Sequence, residues 1–193
     1  MKRLLFALIG LVALSQLLLY GCGDRFLTVN IDALSFMADT VVTQPYGGAG
    51  HPIPADVVEP FEIPPQQINL TEGLADLTDV QSVTLHLSSE FDNVTGSADV
   101  TVQVFISDVD TDDTVLYNTT PYVQDSLHVD PGTVDTLNVT VPGDRGLGEL
   151  LTGEGAKVGI RTTFDSSGST ANVTGKETLI RFTATVVGKR HIP

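Results

Sequence analysis

The chain has 193 residues, and its 24 acidic side chains outnumber ten Lys and Arg, leaving a formal charge of −14 at pH 7. Such a surface repels nucleic acid and anionic lipid headgroups and favours basic partners and divalent cations. A single cysteine excludes an internal disulfide and a cysteine-ligated zinc site, so the fold must be held by packing.

Lys2 and Arg3 open the chain, Leu4 to Leu19 run almost unbroken in apolar residues, and Leu19-Tyr20-Gly21-Cys22-Gly23-Asp24 follows. A transmembrane helix wants about 20 consecutive apolar residues, and this run is shorter and carries Ser15 and Gln16. The order of basic start, apolar run and Leu-x-Gly-Cys box resembles the signal peptide of bacterial lipoproteins. In that family a peptidase cuts before the cysteine, which becomes the N-terminus and carries the lipid; Tyr20 stands where the family usually has a small residue. The resemblance implies a signal peptide at 1–21, a lipid on Cys22, and a mature chain tethered in the cell envelope. One acyl chain holds a protein only marginally, at about 0.8 kcal/mol per buried CH₂, so the family's several chains imply durable anchoring. Gly23, where an Asp would signal inner-membrane retention, implies the outer membrane in an organism that has two. Losing Lys2 and Arg3 leaves eight basic against the same 24 acidic side chains, a mature charge of −16. Residues 22–193 have room for a single domain with a real core.

Phe26 to Ile31 alternates apolar with polar, the period-two signature of a half-buried strand, and Leu34 to Met37 is a candidate continuation. Pro45, Gly47, Gly48, Gly50, Pro52, Pro54, Pro60, Pro64 and Pro65 crowd the stretch from about 44 to 67. Proline removes the donor that a sheet ladder needs, so this stretch is predicted to be a long loop or an edge-hugging extended segment, with Tyr46, Val57, Val58, Phe61 and Ile63 packing parts of it down for contact with a partner. Val83, Leu85 and Leu87 then alternate with Thr84, His86 and Ser88, and Val100, Val102 and Val104 with Thr101 and Gln103. Asp92 to Gly96 supplies turn chemistry between them, which predicts an antiparallel hairpin. Val115 to Tyr117, Tyr122 to Val129 and Leu137 to Val141 follow as strands. Val158 to Phe164 and Thr178 to Val187 are predicted to form a last hairpin around Asp165 to Gly175. One helix interrupts them, with Asp144 as its cap, Leu147, Leu150 and Leu151 on one face, and Gly153 as its stop; Gly146 and Gly148 weaken it. The pattern is all-β, an antiparallel β-sandwich, immunoglobulin/fibronectin-like or jelly-roll-like, with one short helix. Its core is predicted to include Val83, Leu85, Val100, Val102, Val104, Leu137, Val139, Val158, Ile160 and Phe182.

The run from Pro131 to Pro142, with Leu137-Asn138-Val139-Thr140-Val141-Pro142 leading to Leu147, Leu150 and Leu151, resembles the late part of the LEA14-like, water-stress and hypersensitive-response domain. That family implies a fibronectin-like sandwich without an active site; its early Asn-Pro pair is missing here.

No His-Glu-x-x-His pair, Gly-x-Ser-x-Gly elbow or phosphate-binding glycine loop occurs, and His51, His86, His128 and His191 are scattered. With no Trp to stack on a sugar, a carboxylate-pair glycosidase is not indicated, and the chain reads as a non-enzyme. The sharpest constellation is Asp108, Asp110, Asp112 and Asp113. Carboxylates on alternate residues of a turning loop can converge on Ca²⁺, which takes six to eight oxygens. The loop departs from an EF-hand, with no Gly at its sixth position and Thr119 in place of the closing Glu, so a solvated acidic tip is the competing reading. Asn-x-Thr triplets at Asn69, Asn93, Asn118, Asn138 and Asn172 are expected by chance in a Thr-rich strand protein, and Lys189-Arg190-His191 reads as a frayed tail. Two functions follow. One is a non-enzymatic, membrane-anchored envelope lipoprotein acting as a scaffold or binding module for a protein partner, with no cofactor and no nucleic acid. The other is a weakly calcium-linked adhesin or carbohydrate-binding module.

Overall fold

In the computed structural model of the chain, residues 25–38, 42–47, 53–68, 77, 79–143, 145–152 and 155–190 are described. Cys22 and its leader, His51, Asn69, Asp144, Gly153 and His191 lie outside the described residues.

The period-two alternation becomes two facing sheets. Their strands are β1 (Arg25–Asp32), β2 (Thr43–Tyr46), β3 (Val58–Ile68), β4 (Asp79–Thr95), β5 (Ala98–Asp108), β6 (Val123–Val129), β7 (Thr133–Gly143), β8 (Ala156–Asp165) and β9 (Thr174–Arg190). One sheet has the order β1-β9-β4-β7, with β2 also pairing β9 beyond the end of β1; the other has β3-β8-β5-β6. Strand β1 pairs with β9, β3 with β8, β4 with β7 and β5 with β6, all antiparallel. The pairs nest inward like one long hairpin rolled over on itself, which is jelly-roll order. Of the two expected sandwiches it is the jelly-roll-like one, and not the immunoglobulin/fibronectin order that the LEA14-like resemblance implies. The predicted core residues lie between the sheets: all are buried except Val139, which is half-buried against the cluster. Removing such side chains from water supplies the main driving force, about 1.5–3 kcal/mol for each Val, Leu or Phe.

Both predicted hairpins are instead arches from one sheet to the other. Strand β4 pairs with β7 and β9, whereas β5 pairs with β6 and β8. A short polar turn between alternating strands looks the same in sequence whether the strands pair or face each other across a core. What selects the arch is pairing elsewhere: β4 matches β9 along most of its length. Gly96, with φ +67, makes the turn, and Thr95 Oγ1 donates to Asn172 O at 2.9 Å to hold the corner.

Of the two forms expected for 44–67, loop or edge-hugging extended segment, the described residues largely take the second. Strand β3 is an edge, paired only with β8, and an edge has a side on which a missing N–H costs nothing. Pro60 lies in this edge strand, opposite Thr163. Pro64 and Pro65 sit where the register shifts between Ile63 and Gln66, and the Gln66 side chain donates to Pro64 O at 2.7 Å. Pro45 likewise lies in β2, on the edge of the other sheet. The proposed strand at Val115 to Tyr117 is a turn of helix, α1 (Asp113–Leu116), because Asp112 caps it, accepting from Thr114 N at 2.8 Å. Its Leu116 and Tyr117 pack on Phe105 as a small cluster separate from the main core. Leu34 to Met37 falls largely in a 3-10 turn, Ala33–Phe36, capped by Asp32, not in a continued strand.

Helix α2 (Arg145–Thr152) forms as predicted and buries Leu147 fully. Gly148 helps this helix pack: a Cβ there would stand 2.5 Å from Val80 Cγ1, so glycine lets the helix lie close against β4.

Candidate functional site

The four aspartates nominated as calcium ligands are not gathered on one point. Asp108 ends β5, and Asp110 lies exposed in the turn that follows. The Asp112 carboxylate is committed to the helix cap, accepting from both the backbone and the hydroxyl of Thr114 at 2.8 and 2.6 Å. Those two bonds hold its carboxyl below the usual Asp range. Asp113 pairs with Lys157 Nζ at 2.9 Å, and the same ammonium also donates to Thr111 O. Among the described residues no three acidic, His or Cys side chains stand in metal-binding proximity. Asp108 and Asp110 do share an open cleft of about 530 Å³ with Val109, and α2 adds Gly146, Glu149 and Leu150 to its wall.

The histidines are equally separate. His86 Nδ1 and Thr140 Oγ1 are 2.9 Å apart on the outer face of the first sheet. His128 lies on β6, with Nδ1 2.7 Å from Asp99 and Nε2 3.5 Å from Asp130. The hydrogen bond to Asp99 leads in raising its pKa.

A second site, which the sequence did not disclose, lies inside the sandwich at the edge where β2 and β3 face each other. Its centre is Glu177 on β9, 7% exposed. Oε1 accepts from Ser89 Oγ at 2.7 Å and Oε2 from Thr162 Oγ1 at 2.9 Å. Ser89 belongs to β4 in the same sheet and Thr162 to β8 in the other, so the trio spans the core from sheet to sheet. Burial pushes the Glu177 carboxyl above the usual range, and the two hydroxyl bonds pull against that rise. Beside it is a cavity of about 80 Å³, walled by Gln44, Pro45 and Tyr46 of β2, Phe61 to Pro64 of β3, including Glu62, and Phe164 of β8. The aromatic rings form one group: Tyr46 lies 4.4 Å from Phe164 by centroids, and Phe61 meets Phe164 edge-on at 5.7 Å. Tyr46 is fixed at its far end, its hydroxyl donating to Asn93 Oδ1 at 3.3 Å. Gly175 permits this, since a Cβ there would fall 2.4 Å from that hydroxyl. On the other wall, Tyr117 donates its hydroxyl to Ile63 O and so ties down the irregular part of β3. Most of the lining comes from the proline-rich stretch, singled out in the sequence as a contact region but not as the wall of a cavity.

Glu177 escaped the sequence because β9 is out of phase. Counting by twos from the inward Phe182 puts Glu177 on the solvent face. Ser88 pairs with Arg181 and Ser89 with Leu179, so Ile180 is an extra residue, 49% exposed, that flips everything before it. A one-residue slip reverses the faces, and a bulge does this locally.

No family model matches the chain, and no curated protein matches it. Solved structures do. A chain from infectious bursal disease virus, Gx strain, aligns at 11% identity and a TM-score of 0.41, over 88% of this chain and 38% of that one. Eiger TNF from S. frugiperda aligns at 9% identity and 0.38, over 87% and 95%. A family 35 carbohydrate-binding module from an environmental isolate aligns at 13% identity and 0.30, over 86% and 99%. The chain thus spans well under half of the virus chain it matches, and these likenesses concern the β-sandwich alone.

Proposed function

We propose that this protein is a lipid-anchored envelope protein whose jelly-roll domain is a binding module and not an enzyme. The observation that carries the binding half is the Glu177 cavity. It combines apolar and aromatic walls with a few polar side chains, among them a buried carboxyl oriented from both sheets, which are the ingredients of recognition. The anchoring half rests on Leu19, Gly21 and Cys22 in the leader and on how soon the fold begins. Strand β1 starts at Arg25, three residues beyond Cys22. At no more than about 3.6 Å per residue, the domain rides within roughly 11 Å of its lipid. A module so tethered presents its partner-facing surfaces next to the membrane, in the outer membrane where there are two. The calcium-linked reading needs Asp108, Asp110, Asp112 and Asp113 on one ion. With Asp112 engaged by Thr114 and Asp113 by Lys157, it is the weaker one.

Metabolic labelling with a fatty acid tests the anchor. Label and membrane association should both vanish in Cys22→Ala; a variant that still labels and sediments with membranes refutes it.

A further inference from the structure

We propose that the cavity at Glu177 is a binding site for a compact monovalent ammonium group, the head of a primary amine. This deepens the binding-module reading and rests on it, but is independent of the lipid anchor.

Three features of the cavity select that chemistry. The first is charge. Glu177 is a buried carboxyl whose described partners, Ser89 and Thr162, are neutral hydroxyls, and no described ion pair reaches it. A carboxylate has about four lone-pair positions, and these two bonds use one on each oxygen, so acceptor capacity remains for a donor arriving from the cavity. Glu62 also lines the cavity but is paired with Arg161 at 2.6 Å, so the one charge left to balance is that of Glu177, which favours a monovalent ligand over a divalent metal ion.

The second feature is the wall. Tyr46, Phe61 and Phe164 line the same space as Glu177. Aromatic faces attract organic cations, and most strongly when the cation is stripped of water. An ammonium on a short alkyl stem meets both demands, its N–H groups on the carboxylate and its stem against the rings and Ile63. A sugar is a poorer fit, because a sugar ring is far too large for a space of about 80 Å³.

The third is size. About 80 Å³ holds a group of about three non-hydrogen atoms, judged by the roughly 30 Å³ that one water occupies in the liquid. The net charge of the chain, −14, raises the local concentration of any small cation at the entrance.

The test uses the full chain in detergent, titrated calorimetrically with ethylammonium chloride. The controls are ethanol as the neutral analogue and NaCl at matched ionic strength. A ligand of three non-hydrogen atoms binds no tighter than about millimolar, so the expected result is a saturable, roughly millimolar isotherm for ethylammonium and none for ethanol or NaCl. Glu177→Gln, which keeps the shape and removes the charge, should weaken binding at least tenfold. Phe61→Leu, at the half-exposed wall, should weaken it several-fold and gives a second variant with less risk to folding. N-α-acetyl-lysine amide separates two sources of the same group. If it binds as ethylammonium does, the site reads a lysine side chain of a partner; if only ethylammonium binds, it reads a free amine. Both results uphold the site. Equal binding by Glu177→Gln, equal binding of ethanol, or no isotherm for either amine overturns it. None of these outcomes touches the fatty-acid labelling result, so a failed anchor and a failed cavity are told apart.

Discussion

Replacing Glu177 by Gln should stabilise the domain, and by more as the pH rises. The side chain is 7% exposed, and burial pushes its carboxyl above the ordinary value. The folded state therefore holds this proton more tightly than the unfolded chain, which releases it near the ordinary glutamate value of 4.5. Below that pH both states are protonated and the group costs nothing. Above it the unfolded state binds fewer protons, so stability falls as pH rises, by at most about 1.4 kcal/mol per pH unit, and levels off once the folded carboxyl has ionised too. Gln keeps the volume, can accept from Ser89 or Thr162 through its carbonyl oxygen, and does not titrate. The gain of Glu177→Gln over the native chain should thus be flat in acid and then climb along that slope. For a domain of this size it corresponds to roughly 3–5 °C of melting temperature per pH unit while the slope lasts. Thermal and urea melts followed by far-ultraviolet circular dichroism, from about pH 4 to pH 8, measure it. A gain that does not change with pH, or a variant less stable than the native chain at pH 8, would show that the carboxylate is compensated within the core. The reasoning about the cavity would then fail at its first step.

Other expectations concern the frame of the site and the two features the sequence made prominent. Ser166 is buried and bonds Pro54 O at 2.8 Å and Val57 O at 3.0 Å while accepting from Val57 N at 3.0 Å; Ser166→Ala should cost about 1–3 kcal/mol in urea melts, and a loss below a few tenths would remove the hydroxyl from the account of how β3 is fed into its sheet. Gly47→Ala should unfold the chain or cost far more than Gly132→Ala. Both glycines have positive φ, but a Cβ at Gly47 would lie 1.8 Å from Val173 O and one at Gly132 meets nothing within 4 Å; equal melting temperatures for the two variants would contradict this. Asp99→Asn should lower the titration midpoint of His128 in a proton NMR series. The native pair is worth something below the usual His pKa and loses it as pH rises through the raised value; an unmoved midpoint would mean that the 2.7 Å contact is not formed in solution. Ca²⁺, Mg²⁺ and NaCl at matched ionic strength should shift the melting temperature alike, since Asp112 and Asp113 are already engaged. A calcium-specific rise that disappears in Asp110→Asn with Asp112→Asn would restore the calcium-linked reading.

How far the sequence could be read depended on whether a residue's neighbours in the chain were also its neighbours in the fold. The inward faces of β4, β5, β7 and β8 were legible because Val83, Leu85, Val102 and Ile160 repeat by twos, and that period survives whatever the strand pairs with. Strand order was not legible. The turn at Gly96 serves a hairpin or an arch equally well, and the choice is made by β9, far along the chain. The prolines left loop and edge open for a related reason: a missing N–H forbids a central strand but not an edge, and only the assembled sheet shows that β2 and β3 are edges. At Val115, Leu116 and Tyr117, strand propensity was outweighed by one local bond, the Asp112 cap on Thr114. Of the site residues, the acidic tip was visible as composition, whereas Glu177 was hidden by a single extra residue at Ile180.

Those irregularities explain why this jelly roll has a polar cavity at one edge. In a regular sandwich, position 177 would point to water and the space between β2 and β3 would close over aliphatic side chains, as it does farther along the core around Val83 and Val186. The bulge at Ile180 turns a carboxyl inward at the level of Thr162. On the facing edge, Pro64 and Pro65 break the ladder between Ile63 and Gln66, so β3 does not close down evenly over it. Either change alone is unfavourable, one burying a charge and the other forfeiting ladder bonds. Together they lie at the same edge and define one cavity, in which the carboxyl has its hydroxyl partners and the irregular backbone has Tyr117. The arrangement costs stability that an apolar residue at 177 would restore. Such a cost is the kind that functional sites impose and packing alone does not explain.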